Sequence, residues 1–123
     1  MEASMTGVRL AKPWLDLDEA AIAALPGQLG IYEIADAKGG TLELGFAGGR
    51  SRFGLRSAIA EAAAKHESAA RFRYEVTMQY WSRFEELLAV YLADHGELPP
   101  GNADRGEQRV GRLGAGRIAA AGR

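Results

Sequence analysis

Polar and apolar residues alternate over two stretches of this chain and recur at helical spacing over others. Leu42, Leu44 and Phe46 are separated by Glu43 and Gly45, the period of a half-buried strand. Phe72, Tyr74 and Val76 stand apart from Arg73, Glu75 and Thr77 in the same way. Residues 29–35 are rich in β-branched and aromatic side chains, and Ala37-Lys38-Gly39-Gly40 supplies the positive-φ residues of a hairpin turn. Residues 30–47 are therefore predicted to form an antiparallel hairpin, with residues 71–78 as a third strand. Phe84, Leu87, Leu88, Tyr91 and Leu92 make one stripe of a helix over Tyr80–His95, with Gly96 as its natural C′ residue. Leu55, Ile59 and a run of alanines predict a second helix over residues 53–66. A shorter helix is expected from an Asp16 cap through about Leu25, with Asp18 and Glu19 in its first turn and Pro26-Gly27 as its stop.

This order predicts an α+β domain: a small three-stranded antiparallel sheet flanked by helices. Residues 1–13 lack periodicity and read as an N-terminal arm, residues 14–102 as the domain, and residues 103–123 as a flexible, basic, glycine-rich tail. No internal repeat is present. With 123 residues the chain is long enough for one core, and with no cysteine it has neither a disulfide framework nor a thiolate zinc site. His66 and His95 each sit at a predicted helix C-terminus, where the dipole favours them, and their spacing does not fit a metal pair. The start of the chain does not resemble a signal peptide, and no apolar run is long enough to cross a membrane, so a cytoplasmic protein is expected.

Charge changes the picture. The net charge is −1, yet residues 50–73 carry Arg50, Arg52, Arg56, Lys65, Arg71 and Arg73 against only Glu61 and Glu67. Such a segment is either a phosphate-binding face or the solvated side of one helix. The loop Gly48-Gly49-Arg50-Ser51-Arg52 could form an anion nest from its glycine amides or serve as a plain connector; it lacks the Gly-Lys-Ser/Thr of a P-loop. Gly30 and Gly45 lie inside predicted strands, where glycine marks close approach of another group, and the two are expected to adjoin across the hairpin. Trp14 and Trp81 read as packing residues, although Tyr80-Trp81 beside Arg83 could stack on an unpaired base.

The ordered set Gly30-Ile31-Tyr32, Leu44-Gly45, Arg56, Glu85 and Asn102 resembles the GIY-YIG nuclease family from about Leu29 to Asn102. The resemblance implies a GIY-YIG-like sheet-and-helix core acting on a phosphodiester. Tyr32 would lie beside the attacking water, and Arg56, three residues after Phe53, would neutralise charge on the phosphate. A glutamate on the last helix, Glu85 or Glu86, would hold magnesium or manganese, with Glu85 preferred at the flank of the apolar stripe. Asn102, after Pro99-Pro100-Gly101, would pin its loop or contact a phosphate. The chain departs from the family pattern at Glu43, which stands where the second motif carries a tyrosine; a carboxylate there could act as a general base and would also repel a phosphate. The gap from Gly45 to Arg56 is also longer than usual. The expectation is a nucleic-acid-binding protein, for DNA or RNA, with a compromised metal-dependent endonuclease site. The alternative is a catalytically inactive module for a protein partner or an anionic small ligand. The apolar helix around Phe84 and Leu92 leaves room for a homodimer face.

Overall fold

The computed structural model describes residues 9–103, so the first part of the expected arm and nearly all of the expected tail lie outside the described residues. The elements run β1 (Leu15–Asp16), α1 (Glu19–Ala23), β2 (Gly30–Ala35), β3 (Thr41–Ala47), α2 (Leu55–Lys65), β4 (Arg71–Val76), α3 (Tyr80–His95) and a 3-10 turn over Pro100–Asn102. They form a small α+β fold. The sheet has four strands in the order β1-β4-β2-β3, every pair antiparallel. This corrects the expected three. The additional strand is only Leu15 and Asp16, paired with Phe72 and Arg71, and two residues cannot display a period of two. Asp16 is consequently in a strand, and the cap of α1 is Asp18, whose Oδ1 accepts from the Ala21 N–H at 2.8 Å.

β2 is central, and all six of its residues are buried. Its turn to β3 is organised by Asp36, whose Oδ1 accepts from the N–H groups of Lys38 and Gly40, while Gly39 takes φ 92°. Gly30 pairs with Ala47, and Tyr32 pairs with Gly45, so the two glycines are offset rather than opposed. Each admits a different neighbour. A methyl on Gly30 would run into the Glu75 carbonyl oxygen of β4, and one on Gly45 would run into the Tyr32 ring.

Alternation along β2 and β3 divides the core between two faces. Tyr32, Ile34, Ala47 and Phe72 pack with Leu25 of the α1–β2 connection and with Leu55, Ile59 and Ala62 of α2. Ile31 and Leu44 pack on the other face with Leu10 and with Phe84, Leu87 and Leu88 of α3. Of the predicted α3 stripe, Leu92 is left exposed. The helix ends at Gly96, left-handed at φ 81°, whose N–H donates to Leu92 O. Arg83 ties three segments together: it donates to both Glu75 oxygens, to Glu86 Oε1 at 2.7 Å and to the Arg9 carbonyl. Burial alone would lower its pKa, but the hydrogen bonds and charges of Glu75 and Glu86 raise it above the ordinary arginine value.

Candidate functional site

β3 is an edge strand, and beside it the 48–54 loop and α2 enclose a cavity of about 540 Å³. Its inner wall is built from Tyr32, Glu43 and Gly45 of the hairpin, and its exposed rim carries Arg50, Arg52 and Lys65 together with the acid Glu61. A register shift makes this wall possible. Ile34 faces Glu43 while Ala35 faces Thr41, so Leu42 is an extra residue that sets the start of β3 against β2. From there Glu43, Gly45 and their partners Ile34 and Tyr32 share the α2 face, and the bare Gly45 leaves room for the Tyr32 ring to lie across β3.

The inner wall is a hydrogen-bonded chain. The Tyr32 hydroxyl donates to Glu43 Oε2 at 3.1 Å, and Glu43 Oε1 lies 2.8 Å from His66 Nε2. With the proton on Nε2, both oxygens of Glu43 are met by donors. The Tyr32 hydroxyl proton is committed to Glu43. The Pro100–Asn102 turn closes this pair from behind: a Cβ on Gly101 would sit 2.9 Å from Glu43 Cβ and 3.0 Å from His66 Cε1. Asn102 holds the turn there, its Oδ1 accepting from Leu44 N–H and its Nδ2 donating to Leu44 O, both at 2.8 Å. Asn102 is 1% exposed, and of its two expected roles it performs the pinning one.

The sequence-predicted residues divide accordingly. Tyr32, Glu43, Arg50 and Arg52 line one cavity. Arg56 does not line it: its Nε donates to Leu25 O at 3.1 Å, and it borders a separate depression with Glu19 and Ile22. Glu85 and Glu86 belong to α3, whose buried face packs on the side of the sheet opposite Tyr32 and Glu43, and neither lines the cavity. Glu86 is paired with Arg83 at 2.7 Å. Of the two readings open for the 48–52 loop, Gly48 and Gly49 point to the connector. Neither has positive φ, and the Gly49 N–H donates to the Tyr80 hydroxyl at 3.3 Å. Lys65 belongs to the basic segment read as a possible phosphate-binding face, whereas the sequence gives His66 no role at this site. The signal for His66 was Glu43 itself, since a carboxylate predicted on a half-buried strand requires donors.

The opposite face holds another cavity, of about 510 Å³, bordered by Trp14, Glu33, Arg73 and Tyr91. Its charges satisfy one another: Glu33 accepts from Arg73 Nε at 2.8 Å and from Thr41 Oγ1 at 2.6 Å, and the Arg73 guanidinium lies 4.1 Å from the Trp14 ring centre. By contrast, Arg50, Arg52 and Lys65 form no ion pair among the described residues.

Residues 8–94 match the family described as Domain of unknown function (DUF7508), and the chain belongs to that family. The match takes in the hairpin, α2, β4 and nearly all of α3, while Asn102 lies beyond it. No curated protein and no solved structure matches the chain.

Proposed function

We propose that this DUF7508 chain is a GIY-YIG-like domain that binds the phosphodiester backbone of nucleic acid at the rim of the β3–α2 cavity and does not cleave it. The order hairpin, helix, third antiparallel strand beside β2, and helix supports the likeness to that family. The observation that carries the binding reading is the vertical separation of charge in the cavity. Arg50, Arg52 and Lys65, with no ion pair among the described residues, outnumber the one rim acid Glu61, and an acid held by Tyr32 and His66 lies at the inner wall. A phosphate attracted by Arg50, Arg52 and Lys65 is repelled by Glu43 before it reaches Tyr32. The strand is held, and the hydroxyl that would assist an attacking water is kept from it.

Magnesium takes one or two carboxylates together with water and substrate phosphate. The residues present do not fit such a site built on Glu85 or Glu86, because one already neutralises Arg83 and both lie on the helix across the sheet from Glu43. The proposed function carries no metal-dependent step.

Fluorescence anisotropy with labelled DNA and RNA, combined with a cleavage assay in magnesium and in manganese, tests this reading. Binding at low salt that weakens as salt rises, with intact product strands, is the expected result. Removing the inner-wall charge in Glu43→Gln should tighten binding about sevenfold, the effect of one charge on the order of 7 Å away at an effective dielectric of about 40. Cleavage by the parent that disappears in Tyr32→Phe would replace the binding module with an enzyme. No binding at low salt would sink the proposal.

A further inference from the structure

The cationic rim is continued on each side by an exposed aromatic ring. On the α2 side Phe53 follows Arg52 directly, lines the cavity and is 54% exposed. On the α3 side the link is Phe46, which also lines the cavity and meets the Trp81 ring edge-on at 5.3 Å. Trp81 is 45% exposed. Its position relative to the arginine loop is fixed by its neighbour Tyr80, which stacks on Phe46 at 5.6 Å and takes the Gly49 N–H on its hydroxyl. Gly48 lies flat against the Tyr80 ring, close enough that a Cβ would come within 2.8 Å of it. The loop that carries Arg50 and Arg52 is therefore seated on the same aromatic group that supports Trp81.

Cations bracketed by half-exposed aromatic rings, of which Phe53 also has the Arg56 guanidinium 6.0 Å from its centre, suit a strand whose phosphates and bases are both accessible. A duplex offers the phosphates but keeps its base faces stacked inside, so it can use the arginines and not the rings. Every unpaired base has a π face, so ring stacking requires no particular sequence. Resting on the phosphate-binding reading above, we propose that the ligand is single-stranded nucleic acid, with one unpaired base stacked on Trp81 and another on Phe53.

The chain has two tryptophans, so Trp14→Phe leaves Trp81 as the sole indole reporter. This variant is titrated with oligo-dT and oligo-U of about 12 nucleotides, and with a duplex of the same length. Both single strands should quench Trp81 emission and bind about tenfold or more tightly than the duplex. Trp81→Ala should weaken single-strand binding by about tenfold or more, change duplex binding by less than about twofold, and be largely rescued by Trp81→Phe. The quenching arm needs no change at Trp81, so it decides the matter even where Trp81→Ala lowers stability. Equal binding of single strands and duplex, with unchanged Trp81 emission, would overturn the single-strand inference and leave phosphate binding standing. Absence of salt-dependent binding to all three would overturn the reading beneath it.

Discussion

Gly30→Ala is expected to cost about 3 kcal/mol or more, a large share of the ~5–15 kcal/mol that holds a domain folded. The added methyl meets the Glu75 carbonyl oxygen, with Val76 Cα at 3.0 Å, so the obstacle is backbone rather than the end of a flexible side chain. β2 and β4 would have to move apart along a six-residue register that runs from Gly30↔Val76 to Ala35↔Arg71. Gly30 and Val76 are the end pair of this ladder, but β2 is the strand on which both core faces depend, so a displacement of it is felt on both. For a domain of this size the melting temperature should fall by roughly 12 °C or more. Gly49→Ala is the matched control: nothing lies within 4 Å of its added carbon, and its stability should stay within about 0.5 kcal/mol of the parent. Thermal melts of the two proteins check the contrast. Equal melting points would mean that the strands are not in this close approach.

Asn102→Ala is expected to destabilise by about 2–5 kcal/mol, because it strands two buried backbone groups at once. The N–H and C=O of Leu44 both pair with this one side chain. The substitution also frees the turn that backs Glu43 and His66, so the inner wall of the cavity should become more open to solvent. Asn102→Asp separates this from a simple loss of size. It keeps an acceptor for Leu44 N–H but sets a carboxylate oxygen against Leu44 O, and it should be at least as damaging as alanine near neutral pH. Denaturant melts of the three proteins test this. A neutral alanine variant would show that the turn is not held in this way.

Local pattern made much of the fold legible, and long-range pairing accounts for the rest. The Leu42–Leu44–Phe46 and Phe72–Tyr74–Val76 alternations are local, and both became strands. The stripe of Phe84, Leu87 and Leu88 became the buried face of α3, and Gly96 became its left-handed end. β1 was not legible, because two residues become a strand only through the edge of β4 that receives them. At the site, Tyr32 and Glu43 could be placed together from the hairpin alone. His66 could not, since its ring reaches Glu43 only after α2 folds back over the sheet. Arg56 illustrates the limit in the other direction. Its spacing from Phe53 suited a site residue, but the Leu25 carbonyl at the end of the first helical segment captured its guanidinium.

The claim that the rim cations hold the backbone of the ligand is tested most directly by salt titration of Arg50→Ala/Arg52→Ala/Lys65→Ala beside the parent. Each phosphate neutralised on a single strand contributes about 0.7 to the slope of log affinity against log salt. The triple variant should therefore have a slope shallower by about 2, and an affinity at low salt reduced by about tenfold or more. An unchanged slope and affinity would place the phosphate contacts elsewhere on the chain and contradict the account.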